Sequence, residues 1–263
     1  MTTTIALAGK GGVGKTTIAA LIVKYLIDRR QGAVLAIDAD PSSNLNMALG
    51  LDLHWTVGDI REDLLKQVKD SLLAGGAAMG TVGGGMSKQA YLDLEIRSSI
   101  SEGERFDLIA MGRSEGPGCY CAVNHNLRQV IDAISKNYRW VVIDNEAGME
   151  HLSRRTTRAV QHLLVISDPT LRGLTAAARI AGFRDEIDID IEQVHLIINR
   201  LSGELPPQLA KQVDAMNLPL LGTIPADEAI GDLDLEGDPI VTLGENSPSY
   251  QAVAGIFDRI LDR

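Results

Sequence analysis

A glycine-rich loop between an apolar strand and an apolar-periodic helix constrains this chain more than any other feature. The loop, residues 9–16, reads Gly-Lys-Gly-Gly-Val-Gly-Lys-Thr and fits the pattern G-x-x-x-x-G-K-[ST]. The run from Thr3 to Ala8 predicts a buried strand, and the stretch from Thr16 to about Asp28 predicts a helix. Glycines let backbone N–H groups turn inward around phosphates, and a helix N-terminus adds a favourable dipole. The sequence therefore predicts a phosphate-binding loop in an α/β fold.

Two side chains of this loop predict its chemistry. In this pattern the lysine, Lys15, contacts the β- and γ-phosphates, and the hydroxyl of Thr16 ligates Mg²⁺. We therefore expect a nucleoside di- or triphosphate together with Mg²⁺ as cofactors. The other residues of the predicted cofactor site are Gly11, Gly12, Val13, Gly14 and Thr17.

Short apolar runs alternate with helix-like segments along the rest of the chain. The runs predicted as strands are 33–37, 106–111, 140–143, 162–166, 194–198 and 218–224, and residues 250–261 are predicted as the last helix. This alternation indicates a mostly parallel sheet with helices on both faces. Because no repeat or dividing linker occurs, we expect one P-loop NTPase domain over residues 1–263. A segment with six glycines between Gly75 and Gly85 is predicted to be a mobile loop.

The charge balance limits the partners that we expect. The chain has 35 acidic and 25 basic side chains, a formal net charge of −10. Such a charge argues against a broad nucleic-acid-binding face or an anionic-membrane surface. The sequence has no run of eighteen apolar residues and no basic signal-peptide start. We therefore expect a cytoplasmic protein with neither nucleic acid nor membrane among its partners.

Aspartates end two of the predicted strands. Asp38 and Asp40 follow the second strand, and Asp144 follows Trp140–Ile143. Ligands of an open α/β sheet bind at the carboxyl ends of its strands, and an aspartate there can hold Mg²⁺ through water. Strand-terminal aspartates also serve as simple helix caps. We expect Asp144 to belong to the Mg²⁺ site.

The loop has another lysine, Lys10, which narrows the class of nucleotide-binding protein that the sequence indicates. Residues 9–17, Gly-Lys-Gly-Gly-Val-Gly-Lys-Thr-Thr, resemble the deviant Walker A motif of the MinD/ParA/nitrogenase-iron-protein class of ATPases. The resemblance implies an ATP-dependent homodimer in which Lys10 reaches the nucleotide of the other subunit. It also implies that Asp40 orients the attacking water and that Asp38 neighbours the Mg²⁺ shell. Lys10, Lys15 and Asp40 are thus the expected catalytic residues.

The same resemblance implies a site for the base. In this class the positions that correspond to Asn199-Arg200 and Pro225-Ala226-Asp227 flank the adenine, and the asparagine hydrogen-bonds it. Asn and Pro are also ordinary turn residues. We expect Asn199, Arg200, Pro225 and Asp227 in the cofactor site.

The chain has only two cysteines, Cys119 and Cys121. A disulfide between residues so close would be strained, so a thiolate metal site is the functional interpretation. Two thiolates leave a four-coordinate shell half filled, whereas two subunits can together supply an S₄ site for Ni²⁺ or Zn²⁺. The alternative is two buried small hydrophobic side chains.

The segments around this pair carry a closer resemblance. Residues 111–121, Met-Gly-Arg-Ser-Glu-Gly-Pro-Gly-Cys-Tyr-Cys, and 142–151, Val-Ile-Asp-Asn-Glu-Ala-Gly-Met-Glu-His, are similar to the CooC family. These are nickel-inserting ATPases for maturation of carbon monoxide dehydrogenase. The resemblance implies homodimerisation on ATP or metal binding, a nickel or zinc site on the cysteines, and carbon monoxide dehydrogenase or acetyl-CoA synthase as client.

Two other functions stay open at this point. The first is a MinD/ParA-type positioning ATPase. The last segment, residues 253–263, alternates acidic and basic residues and suits packing on its own sheet better than an anionic bilayer. The second is an iron–sulfur electron-transfer ATPase that resembles the nitrogenase iron protein, although the cluster cysteines of that protein lie tens of residues apart.

Overall fold

The computed structural model describes residues 1–73, 81–82, 85–113, 121–147, 159–183 and 189–261. Their strands are β1 (Thr3–Gly9), β2 (Val34–Asp38), β3 (Thr81–Val82), β4 (Met86–Ser87), β5 (Ser101–Glu102), β6 (Phe106–Ala110), β7 (Trp140–Asp144), β8 (Ala159–Ser167), β9 (Asp190–Asn199) and β10 (Leu220–Ile224). Strands β3 and β4 form a separate hairpin. The others form one sheet in the order β10-β9-β8-β1-β7-β2-β6-β5.

Helices connect these strands. They are α1 (Lys15–Arg29), α2 (Leu45–Leu49), α3 (Val57–Leu73), α4 (Lys88–Ser98), α5 (Cys121–Ser135), α6 (Leu171–Gly182), α7 (Pro207–Ala215), α8 (Glu228–Glu236) and α9 (Pro248–Leu261), with a 3₁₀ turn at Ile240–Thr242. None of the helices in the described ranges is long and apolar enough to cross a membrane.

The predicted fold class is confirmed. Strand β1 pairs in parallel with β7 and β8, and among the described strands of this sheet only β5, at one edge, runs antiparallel to its neighbour. Side chains of β1 alternate between two cores: Ile5 and Leu7 pack with α1 and α9, whereas Ala6 and Ala8 pack with α3 to α6. Because both faces of the sheet are covered, its strands are almost continuously apolar. The chain thus forms a single α/β domain with a mostly parallel sheet.

The last helix, α9, uses its apolar stripe in this core. Tyr250, Val253 and Phe257 are buried, and the ring of Phe257 lies 5.6 Å from that of Tyr25 on α1. Helix α9 therefore packs on its own domain, as the sequence predicted.

The structure differs from the sequence prediction within the glycine-rich segment. Val82 is buried, and β3 pairs with β4 through Val82 and Met86, so residues 81–82 are part of a strand pair where the sequence predicted a mobile loop. The apolar side chains find a core face that local composition does not reveal. Residues 74–80 and 83–84 lie outside the described ranges. Helix α4, which packs beside this hairpin, was not predicted.

Candidate functional site

The phosphate loop lies between the end of β1 and the start of α1. Gly12 and Gly14 have φ angles of +82° and +89°, in the left-handed region that favours glycine. Gly14 is the N-cap of α1, and no side chain caps that helix end. The N–H groups of the first turn of α1 are therefore available to an anion.

The two lysines of the loop have different surroundings. Lys15 is only 8% exposed, and its Nζ donates a 3.4 Å hydrogen bond to the carbonyl of Lys10. The side chain of Lys10 is exposed and lines an open groove of about 600 Å³ beside Ala147 and α6. Lys15 thus lies within the loop, whereas the side chain of Lys10 faces solvent.

Thr16 and Asp144 meet at the base of the loop. Thr16 Oγ1 donates a 2.6 Å hydrogen bond to Asp144 Oδ2. Asp144 is 1% exposed, and its other oxygen accepts no hydrogen bond from the residues that the structure describes. Burial raises the pKa of Asp144 to about 7; the hydrogen bond from Thr16 opposes this shift, and the charge of Asp38 adds to it. A buried carboxylate oxygen beside a hydroxyl suits a small hard cation.

Asp38 lies directly opposite Asp144 in the register between β2 and β7. Its Oδ1 accepts a hydrogen bond from the N–H of Asp40 at 3.0 Å, and its Oδ2 accepts one from the N–H of Leu45 at 2.9 Å. Burial raises the pKa of Asp38 to about 6. Both oxygens thus hold the segment that leaves β2.

That segment carries Asp40, which is half-buried. Its Oδ1 accepts a 2.8 Å hydrogen bond from the N–H of Ser42, and the neighbouring N–H of Ala39 donates to the carbonyl of Asp144 at 2.8 Å. Asp40 is therefore held beside the end of β7, on the same edge of the sheet as the phosphate loop.

Asn145 is a residue of this site that the sequence analysis did not select. It is 1% exposed, and its Nδ2 donates a 2.8 Å hydrogen bond to the carbonyl of Leu7 on β1. Among the described residues, nothing donates to its buried Oδ1. Its position directly after Asp144 is the signal that could have identified it.

The predicted base-binding residues also converge. They border a cavity of about 320 Å³ between α1 and α8, lined by Thr17, Ile18, Leu21, Asn199, Arg200, Ile224, Pro225, Ala226, Asp227, Ile230, Gly231, Asp234, Ile240 and Ser249. Asn199 Nδ2 donates a 2.8 Å hydrogen bond to the carbonyl of Val13. This bond uses one of the two N–H donors of Nδ2, so Asn199 keeps a second N–H and its acceptor, Oδ1, for a ligand.

Asp227 anchors one wall of this cavity. It accepts hydrogen bonds from the N–H of Ala229, from the hydroxyl of Ser247, and from both the hydroxyl and the N–H of Ser249. Burial opposes ionisation of Asp227, but these hydrogen bonds outweigh it and hold the pKa below its usual value. Asp227 thus ties the start of α8 to the start of α9 and has little capacity left to bind a base.

The comparison with known proteins agrees with this geometry. A family model described as the CobQ/CobB/MinD/ParA nucleotide binding domain matches residues 4–240. This chain belongs to the CobQ/CobB/MinD/ParA nucleotide-binding family. The matched range includes the phosphate loop, Asp144 and the predicted base cavity up to Ile240.

Relatives in this family span the whole chain. An uncharacterized ATP-binding protein of Methanocaldococcus jannaschii is 41% identical over 260 residues, which cover 98% of each protein. The carbon monoxide dehydrogenase accessory protein CooC of Rhodospirillum rubrum is 34% identical over 270 residues, which cover 97% of each protein.

A solved structure of the family supports the fold. The septum site-determining protein MinD of Pyrococcus horikoshii, complexed with Mg-ADP, is 23% identical and superposes with a TM-score of 0.68. The superposition covers 99% of this chain and 96% of that one. At this identity the likeness supports the shared fold alone.

The predicted metal site lies mostly outside the described residues. Cys119 falls in the range 114–120, which is not described. Cys121 is the first residue of α5, and its side chain is likewise not described. Within the described ranges no group of three or more His, Cys, Asp or Glu side chains is arranged to hold a metal ion. The cysteine pair therefore stays a prediction from the sequence.

Proposed function

We propose that this protein is a Mg²⁺-dependent ATPase. The observation that carries the proposal is the hydrogen bond from Thr16 to the buried carboxylate of Asp144, next to Lys15 and the uncapped start of α1. This places a hydroxyl, a carboxylate, a cation and open N–H groups together at one helix end. Such a set of groups matches what a nucleoside triphosphate with its Mg²⁺ requires.

Each side chain has a definable task in this proposal. Lys15 neutralises the β- and γ-phosphates. Its Nζ lies over the phosphate loop, since it donates a hydrogen bond to the Lys10 carbonyl. Thr16 and Asp144 would hold Mg²⁺, which would supply charge neutralisation at the phosphates. Asp40 accepts a hydrogen bond from the attacking water and orients it. Asp38, both of whose oxygens bind backbone N–H groups, positions Asp40.

The substrate base is adenine in this proposal. Asn199 lines the cavity and donates from Nδ2 to the Val13 carbonyl, and we assign its Oδ1 as the acceptor for the base. An acceptor at the base edge attracts the N6 amino group of adenine and repels the O6 of guanine. Pro225 and Ala226 supply apolar contact for the ring, and Asp227 fixes that loop through Ser247 and Ser249.

Homodimerisation on ATP is the third part of the proposal. Lys10 is exposed and faces a groove along α6, where Leu171 is 53% exposed. A lysine that points away from its own site, beside an exposed apolar side chain, is suited to enter a second subunit. This supports the role that the family resemblance implies for Lys10.

We further propose nickel delivery as the biological function, with carbon monoxide dehydrogenase or acetyl-CoA synthase as client. Support comes from the CooC relative, which matches over nearly the full length of both chains, and from the Gly-Pro-Gly-Cys-Tyr-Cys segment. In a dimer, Cys119 and Cys121 of each subunit would supply four thiolates for Ni²⁺ or Zn²⁺. The metal in this proposal is cargo rather than a resident cofactor.

A MinD-type positioning ATPase is the second candidate, favoured by the match to the CobQ/CobB/MinD/ParA nucleotide-binding family. The burial of Tyr250, Val253 and Phe257 argues against it, because α9 then has no free apolar stripe to place in a membrane. Flotation with anionic vesicles in the presence of Mg-ATP separates the two. Stable vesicle binding would favour the positioning function.

The ATPase proposal is tested by phosphate release. The parent should hydrolyse Mg-ATP slowly without its client, at roughly 10⁻⁴ to 10⁻² s⁻¹, the range of unassisted P-loop NTPases. Lys15→Ala should lose turnover and at least about tenfold in ADP affinity, since a charge-assisted hydrogen bond is removed. Lys69→Ala, an exposed lysine on α3, is the matched control and should behave as the parent. Normal turnover in Lys15→Ala would refute the site assignment.

A further inference from the structure

The outer side of the phosphate loop is held by two consecutive side chains at the end of β9. Asn199 Nδ2 donates to the carbonyl of Val13 at 2.8 Å, and Arg200 Nη1 donates to the carbonyl of Gly12 at 3.1 Å. The loop and Asn199 lie so close together that a Cβ at position 14 would be only 2.5 Å from Asn199 Nδ2, and Gly14 avoids this clash. Two successive carbonyls of the loop are thus held from the same side.

The planarity of the peptide bond gives these contacts a consequence for the N–H groups. In a trans peptide, the C=O of one residue and the N–H of the next point in opposite directions. Holding the Gly12 carbonyl toward Arg200 turns the Val13 N–H away from it. Holding the Val13 carbonyl toward Asn199 does the same for the Gly14 N–H. Both N–H groups therefore face the opposite side of the loop, where a phosphate would lie.

Arg200 adopts an unusual backbone conformation to make its contact. Its φ angle is +58°, which is uncommon for a residue with a side chain. The conformation is fixed from both sides: Asn199 is paired with Ile224 in the sheet, and the N–H of Leu201 donates to the carbonyl of Ile224 at 3.0 Å. Glycine would occupy such a position without strain, yet the chain has an arginine there.

We propose that Arg200 is a positioning residue for the phosphate loop. By holding the Gly12 carbonyl, its guanidinium keeps the Val13 N–H directed at the β-phosphate before any nucleotide arrives. The residue acts on the polyphosphate through the loop rather than by contact with the base. This inference rests on the proposed nucleotide site, and it adds to that site a residue outside the phosphate-binding motif.

The test compares two ligands, Mg-ADP and inorganic tripolyphosphate with Mg²⁺, by titration calorimetry on the full chain. Arg200→Ala should bind each about three- to tenfold more weakly than the parent, with similar factors for both because each engages the loop. Arg200→Gly removes the guanidinium without backbone strain and should lose the same factor. Arg200→Lys keeps a donor within reach and should recover part of the loss.

A matched control comes from the surface of α4. Arg97 pairs with Asp93 at 3.0 Å on the helix surface, so Arg97→Ala should leave both affinities unchanged. Thermal unfolding of each variant separates stability from binding, because Arg200→Gly should be at least as stable as Arg200→Ala at this φ angle.

Three results would overturn the inference. The first is that both Arg200→Ala and Arg200→Gly bind the two ligands within twofold of the parent. The second is a loss of affinity for ADP but not for tripolyphosphate, which would assign Arg200 to the base. The third is parent-like binding in Arg200→Gly alone, which would assign the effect to backbone strain. If the parent itself binds neither ADP nor tripolyphosphate, it is the proposed function that fails, and the titration of the parent shows this without the variants.

Discussion

Thr16 Oγ1 lies 2.6 Å from Asp144 Oδ2, although 128 residues separate the two side chains in the sequence. The hydrogen bond links the first turn of α1 to the end of β7 and keeps a carboxylate almost fully buried. Burying a carboxyl group raises its pKa, because the charged form is poorly solvated there. Part of the stability of the free protein therefore depends on the protonation of Asp144.

The first prediction concerns this dependence on pH. The pKa of Asp144 is raised from 3.8 to about 7, so the folded protein binds more protons than the unfolded chain between these pH values. The unfolding free energy of the nucleotide-free protein should therefore be highest below about pH 4, as far as this group is concerned, and fall as pH rises toward 7.

Asp144→Asn tests this prediction, because the amide mimics the neutral carboxyl group. At pH 7.5 the variant should be more stable than the parent by about 2–4 kcal/mol, given about 1.4 kcal/mol for each pKa unit. At pH 4 the two should agree closely. Urea unfolding at both pH values measures the difference, and Asp93→Asn on the surface of α4 is the control. A variant less stable than the parent at pH 7.5 would contradict the assigned cause.

The second prediction separates nucleotide binding from turnover at Asp40. Asp40→Ala should bind Mg-ATP with nearly the affinity of the parent but hydrolyse it roughly 10²-fold more slowly, because the attacking water loses its acceptor. Phosphate release and calorimetric titration measure the two quantities. Full turnover in this variant would move the role to another group. Asp38 is a poor substitute, since backbone N–H groups already occupy both of its oxygens.

The third prediction concerns the choice of base. Since Asn199 Oδ1 is the proposed acceptor for the N6 amino group of adenine, ADP should bind at least about tenfold more tightly than GDP. Asn199→Ala should weaken ADP binding and reduce this preference. Competition of both nucleotides against a fluorescent ADP analogue measures the ratio. Equal affinities in the parent protein would show that Asn199 does not face the base.

The sequence predicted the elements of this site better than its internal contacts. The loop from Gly9 to Thr16 and the strand that ends at Asp144 have local signals, a glycine pattern and a continuous apolar run, and the structure has both. The hydrogen bonds of Asp227 to Ser247 and Ser249 have no such signal, because they join residues about 20 positions apart through the packing of α9.

Asp38 and Asn199 illustrate the same limit. The sequence predicted both near the nucleotide, and the structure brings both to that edge of the sheet. The sequence could not predict that both oxygens of Asp38 would accept hydrogen bonds from the backbone of its own loop. Nor could it predict that Asn199 would donate to the Val13 carbonyl. Such contacts depend on ångström-scale distances between distant segments, which residue types alone do not determine.

The fourth prediction is that metal binding and dimerisation depend on the cysteine pair. Asp40, Asp144 and the segment that leads to Cys121 all follow strands that end at the same edge of the sheet. We expect the dimer interface to lie at this edge, so nucleotide and metal should favour the same dimer and each should strengthen binding of the other.

Sedimentation velocity with Ni²⁺, with and without Mg-ATP, measures this dependence. The parent should dimerise on adding Ni²⁺ and hold one metal per dimer, and Mg-ATP should increase the dimer fraction. The double variant Cys119→Ser, Cys121→Ser should stay monomeric with Ni²⁺ while it binds ADP as the parent does. A double variant that still dimerises with Ni²⁺ and retains stoichiometric metal would contradict the account.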